Sequence, residues 1–184
     1  GVLPEIFPKE KIKGNADTSH VENKFQLYNK IKNKFNVPET FLVSNFHEIT
    51  EITQDYKDKK FILKPLYGCG GVGITEINSV TEEDFITEMI LQEYIPGTSI
   101  SASVLSTKRE AETIITSKQL IGIDYLGQKE PWGYCGNIVP YLNHPEIKET
   151  AEELIEYLSL IGSNGVDMIY HHGELKIIEV NPRF

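Results

Sequence analysis

The chain has 184 residues, 40% of them hydrophobic and 24% charged, with a formal net charge of −9. That length and composition support one or two compact units with a real apolar core. They exclude a transmembrane helix, since no run of about 18 apolar residues occurs. They also exclude a basic duplex-binding face: the lysines at positions 24–34 and 57–60 are diluted by acidic neighbours or by helical spacing.

Asp17, Thr18 and Ser19 offer helix caps, and Val21, Phe25, Tyr28, Ile31 and Phe35 recur at intervals of three or four. This predicts a helix to about Phe35, stopped by Val37 and Pro38. A strand is expected at residues 41–43, a short helix through Ile49, Ile52 and Tyr56, and a buried strand from Phe61. Beyond a glycine-rich loop, residues 74–77 alternate as a strand. Thr81 caps a brief helix through Glu88, and residues 89–95 form another strand, closed by Pro96 and Gly97. Residues 99–106 and 112–121 read as paired strands, and residues 122–144 as a long irregular segment of the kind that is often functional. Pro145 opens a helix with an apolar stripe from Ile147 to Ile161, ended by Gly162. A final hairpin pairs residues 165–170 with 175–180 around His171, His172 and Gly173. The fold class is α+β, with mainly antiparallel sheets.

The glycine loop, residues 68–73, is followed by a strand rather than a helix, which argues against a dinucleotide-binding turn. Gly73 is followed by Ile74, not Lys and Ser/Thr, which argues against a P-loop; the His-Arg-Asp and Asp-Phe-Gly strings of a protein kinase are missing. Two readings remain open. One is a flap whose bare backbone N–H groups cover phosphates, with Lys64 neutralising charge at the end of the incoming strand. The other is a surface hairpin with a solvated lysine.

Near the C-terminus, Glu179 and Asn181 share one face of a strand. Asp167 lies 12 residues before Glu179 around the predicted turn, close enough for cross-strand approach. Two carboxylates and an amide oxygen are hard ligands suited to Mg²⁺, with Mn²⁺ as an alternative, rather than zinc. Arg183, one of two arginines, could hold a phosphate or a carboxylate, or form a surface ion pair.

Taken in order, Lys64-Pro65 with its glycine loop, then "QEYIPG", "GVD" and "EVNPR" resemble the ATP-grasp superfamily over about residues 17–184. The resemblance implies two α+β subdomains clamping ATP: a small one at residues 41–95 carrying the flap, and a larger one at 96–184 carrying the metal hairpin. Residues 17–40 lead into the grasp. Residues 1–16 are expected to be a remnant of, or a linker from, an N-terminal acceptor-binding domain, and the family pattern continues beyond Phe184. The implied enzyme is an ATP- and Mg²⁺-dependent ligase that activates a carboxylate as an acyl phosphate and joins it to an amine. A phosphotransferase and a non-catalytic nucleotide-binding module are the rival readings.

By position, the resemblance makes Lys24 and Lys64 phosphate-side lysines, although Lys24 also reads as a solvated helix residue. Gly68, Gly70, Gly71 and Gly73 become the phosphate cover. Gln92 or Glu93 would take the adenine amino group with backbone at Tyr94 and Ile95, and Asp167, Glu179 and Asn181 would hold the metal. Arg183 would steady the transferred phosphoryl group. Ser99 stands where many relatives have a ribose-binding carboxylate. The string "GTSISASVLS" resembles the subgroup of carboxylate–amine ligases that includes tyramine–glutamate ligase. Small-molecule carboxylate and amine substrates, no nucleic acid or membrane partner, a cytoplasmic setting and possible homodimerisation complete the expectation. Cys69 and Cys135 have no metal spacing and read as reduced thiols, Cys69 filling a loop position.

Overall fold

The computed structural model describes residues 14–15, 17–85, 87–141 and 144–183. The expectation for residues 1–16 lies outside these apart from Gly14 and Asn15. Asn15 is tied to the body of the fold: its amide donates to Asn164 and its carbonyl oxygen accepts from Ile161 N–H. No described helix is long and apolar enough to cross a membrane.

The expected first helix is two helices, α1 (Ser19–Glu22) and α2 (Lys24–Ile31). Asn23 breaks it with φ −79 and ψ 111, because its side chain accepts the N–H groups of Phe25 and Gln26 and caps α2 instead of continuing α1. The apolar stripe survives in part: Val21, Ile31 and Phe35 are buried, Phe25 and Tyr28 are only partly covered, and Leu27, outside the expected stripe, is buried instead.

The first sheet comprises β1 (Thr40–Val43), β2 (Phe61–Pro65), β3 (Thr75–Glu76) and β4 (Met89–Glu93), all antiparallel in the order β1-β4-β2-β3. Helix α3 (Phe46–Asp55), capped by Asn45, lays Ile49 and Ile52 against it. The strand expected at 74–77 shrinks to two residues. The helix expected from Thr81 to Glu88 is only a 3₁₀ turn, Glu82–Asp84, inside a capping box formed by Thr81 and Asp84.

The second sheet comprises β5 (Thr98–Ser106), β6 (Ala111–Ile121), β7 (Tyr134–Ile138), β8 (Gly162–His171) and β9 (Glu174–Pro182), in the order β7-β6-β5-β8-β9 and again antiparallel. Helix α4 (Pro145–Tyr157) covers one face through Ile147, Ala151, Leu154 and Ile155. Alternation explains the small-residue string. Ile100, Ala102 and Val104 enter the core, while Ser99, Ser101 and Ser103 face the other way.

Two sequence expectations need correction here. Residues 122–144 are not wholly irregular: β7 runs through them. Its glycine and the register shift opposite Leu120 and Ile121 hide the period of two. Helix α4 ends at Tyr157, not Gly162; Ser159 turns the chain with φ 55, and Gly162 opens β8.

Candidate functional site

The C-terminal carboxylates are aligned by a bulge. From the hairpin turn to Met168, facing residues keep one register, His171 with Glu174 and Met168 with Ile177. A register shift at Ile178 then sets Asp167 directly opposite Glu179. Without it, strict alternation would send Glu179 to the face of Leu175 and Ile177, which are buried in the core. With it, Val180 enters the core while Glu179 and Asn181 turn to the open face, where Asp167 sits.

Asp167 is held on both oxygens, accepting Gln119 Nε2 at 3.1 Å and Asn181 Nδ2 at 2.9 Å. Burial raises its pKa, against hydrogen bonds from Ser101, Asn181 and Gln119 and the charge of Arg183. Burial also raises Glu179, with Lys24 opposing and Asp167 adding to the rise. Two partly buried acids side by side form a site that a cation would stabilise. Asn181 spends its amide nitrogen on Asp167, so its oxygen is the end available to a cation. Among the described residues, no group of three or more His, Cys, Asp or Glu is placed to hold a metal. The hard-oxygen set here is Asp167, Glu179 and Asn181, which fits a magnesium-like ion.

The first sheet presents cations to these acids. Lys64 is only 8% exposed, and its Nζ donates to Gln92 Oε1 at 2.8 Å. Gln92 is fixed in turn by donating to Thr40 Oγ1 at 3.0 Å. Burial depresses the Lys64 pKa to about 8; the negative charge of Glu179 pulls it up and Lys24 pushes it down. Lys24 opens α2 and bridges both sheets. Its Nζ lies 2.5 Å from Gly68 O and 3.4 Å from Glu179 Oε1.

Gly68, Gly70, Gly71 and Gly73 all have positive φ, from +71 to +115. The loop is folded onto the segment before β7. Gly70 O accepts Tyr134 N–H at 3.0 Å. A Cβ on Gly71 would lie 1.7 Å from Trp132 O, so only glycine fits. The Trp132 ring meets the Tyr94 ring edge-on at 5.6 Å.

Of the two adenine-side candidates, Gln92 is buried beside Lys64. Glu93 is tied up elsewhere, bonded to Glu39 N–H and paired with Lys59 at 3.2 Å. Tyr94 N–H donates to Lys60 O, which leaves Tyr94 its carbonyl to offer. Ile95 is 9% exposed. A narrow crevice opens beside Gln92 between Tyr28, Val37, Ile177 and Ile178. Arg183 lies over Gly165, where a Cβ would sit 3.2 Å from its guanidinium. Ser99 pairs with Ile169 on the open face.

Sequence reasoning missed Gln119 and Ser101. Both were legible only once strand registers were known, because each lies on the open face beside Asp167. Lys118 on the same strand pairs with Ile100 and faces the core side, with its Nζ 5.9 Å from the Tyr141 ring centroid.

Comparison with known proteins agrees with this geometry. The family model for the ATP-grasp domain matches residues 21–184. An uncharacterised protein of Methanocaldococcus jannaschii is 34% identical over 92% of this chain and 42% of its own length. Tyramine–L-glutamate ligase of Methanocaldococcus fervens is 28% identical over 98% of this chain and 53% of its own. The crystal structure of an ADP complex of N5-carboxyaminoimidazole ribonucleotide synthetase superposes with a TM-score of 0.73 at 23% identity, covering 90% of this chain and 46% of that one. The chain thus spans about half the length of the relatives it matches. It belongs to the ATP-grasp family.

Proposed function

We propose that this chain is the nucleotide-clamping part of an ATP- and Mg²⁺-dependent ligase that activates a carboxylate as an acyl phosphate and joins it to an amine. The observation that carries this reading is the meeting of opposite charges: Lys64 from the first sheet and Lys24 from α2 converge on Asp167 and Glu179 of the second. Similarity to tyramine–L-glutamate ligase supports the choice of an amine acceptor.

In this reading the subdomains are residues 41–95 and 96–184. The base lies on the side of Gln92 and Tyr94, with the Tyr94 carbonyl at its amino group. Lys64 and Lys24 neutralise phosphate oxygens, and the loop glycines cover them with backbone N–H groups. Asp167, Glu179 and the Asn181 oxygen hold Mg²⁺, which supplies charge neutralisation at the transferring phosphoryl group. Arg183, at the open end of the same face, orients the carboxylate or the acyl phosphate. No side chain here need act as a nucleophile; positioning and electrostatics carry such phosphoryl transfer.

The test is a screen of the intact protein for ADP release with carboxylic acids and amines, followed by product mass. ADP with an amide product is expected. ADP with a stable phosphorylated product overturns the ligase reading in favour of phosphotransfer. Tight Mg-ATP binding without turnover by any acceptor pair favours a non-catalytic module.

A further inference from the structure

Asp167 is gripped from both sides of its strand, β8, which lies between β5 and β9. Asn181 reaches it from β9, the adjacent strand, and donates to Oδ2 at 2.9 Å. Gln119 reaches it from β6, two strands away, and donates to Oδ1 at 3.1 Å. That side chain spans two strand spacings of about 4.8 Å each. It can do so because the strand it crosses carries serines on this face. Ser101 of β5 sits directly between Asp167 on one side and Ser117 on the other, and Ser99 is its neighbour on the same face. Ser101 adds a third hydrogen bond to the carboxylate.

Among the described residues, these hydrogen-bond partners are all neutral. Glu179 is the contrast, with the Lys24 ammonium 3.4 Å from its carboxylate. Amide and hydroxyl donors fix the orientation of a carboxylate without supplying a counter-charge, so its negative charge stays available to a cation. Outer partners of this kind orient metal ligands, and losing one typically costs roughly 10–100-fold in metal affinity. We propose that Gln119 is a positioning residue for the divalent cation: its amide crosses β5 to hold the Asp167 carboxylate in place while leaving it charged. This rests on the metal reading under the proposed function and adds a residue that does not itself touch the ion.

The experiment titrates the full chain with Mn²⁺ alone and follows free Mn²⁺ by electron paramagnetic resonance, with Asp167→Asn marking uptake elsewhere on the protein. Gln119→Leu keeps the bulk and loses the donor; its Mn²⁺ affinity should fall about tenfold or more. Gln119→Lys keeps the reach and the hydrogen bond but brings the counter-charge that glutamine withholds. It should keep the wild-type denaturant midpoint and lose Mn²⁺ uptake at this site, which a residue serving only to tie strands together would not do. An unchanged Mn²⁺ constant in Gln119→Leu overturns the positioning role. Wild-type affinity in Gln119→Lys overturns the requirement for a neutral donor, and this variant decides the matter if Gln119→Leu does not fold. Wild-type protein that takes up no more Mn²⁺ than Asp167→Asn overturns the metal reading itself and this inference with it.

Discussion

The two sheets face opposite electrostatic problems. The first buries a lysine whose hydrogen-bond partner is a neutral amide, Gln92. The second holds two partly buried acids, Asp167 and Glu179, each pushed towards its protonated form. They also differ in how they are packed. One face of the second sheet is covered by α4 and by the stripe of α1 and α2, giving a continuous core from Val21 to Val180. The first is backed by α3 and a smaller cluster around Val43, Ile49 and Leu63. The second sheet is thus the anchor and the first the lighter jaw, and each holds the charge the other lacks.

The most severe way to break this comparison is to cut into the anchor. Leu154 is fully buried between α4 and the second sheet. Leu154→Ala should cost about 2–5 kcal/mol of unfolding free energy, seen as a lower denaturant midpoint at unchanged slope. Ile52→Ala, at a partly buried position on the jaw, should cost clearly less. Equal losses would mean that the packing asymmetry carries no energetic weight.

The charges can be broken separately. Glu179→Gln and Lys64→Met should each weaken Mg-ATP binding on the order of 100-fold in a calorimetric titration, the scale expected when one partner of a desolvated charge pair is removed. Their effects on stability should diverge. Lys64 keeps its proton less readily folded, with a pKa of about 8, than unfolded at 10.5. Below pH 8 that costs the fold about 3 kcal/mol. Lys64→Met removes this cost but leaves the Gln92 oxygen unpaired, so a net gain of roughly 1–2 kcal/mol is expected at neutral pH. If the variant loses stability together with binding, Lys64 is a structural residue.

The same shift sharpens the comparison through pH. Between pH 8 and 10.5 the unfolded chain binds more protons at residue 64 than the folded chain. Stability from this residue therefore rises with pH across that window and is lowest below it. A bound triphosphate favours the charged lysine and raises its pKa again. Binding should take up a proton near pH 8–9, and affinity should fall as pH climbs past 8. Titrations in buffers of different ionisation enthalpy check this; heats independent of buffer would remove Lys64 from the phosphate side.

The two regions were unequally legible in the sequence. The anchor's helix and strands announce themselves by period: Ile147, Ala151, Leu154 and Ile155 at helical spacing, Ile100, Ala102 and Val104 in alternation. Lys64, the loop glycines, Asp167, Glu179 and Asn181 could be singled out as candidates from residue type and order. What joins them could not. The bulge at Ile178 and the seat of Gly71 on Trp132 are tertiary settlements with no local signature, whereas the break at Asn23 is a local cap by a residue type that favours that role. Gln119 and Ser101 went unseen because their relation to Asp167 exists only across strands.

The smallest expected effect concerns how the anchor's edge is finished. Strand β7 pairs with β6 only from Lys118 onwards. Earlier β6 amides would stand unpaired on that side, and two glutamates of α4 accept them: Thr113 N–H bonds Glu152 at 2.7 Å and Ala111 N–H bonds Glu156 at 3.0 Å. Thr113 is only 5% exposed, so losing its acceptor leaves a buried donor unsatisfied, whereas the Ala111 bond is exposed. Glu152→Ala should therefore cost about 1–2 kcal/mol and Glu156→Ala only a few tenths. Neither should change Mg-ATP affinity, because both act on the helix-covered side and not the open face. An affinity loss in Glu152→Ala would show that the two faces of this sheet are coupled, and that the anchor is less rigid than its packing implies.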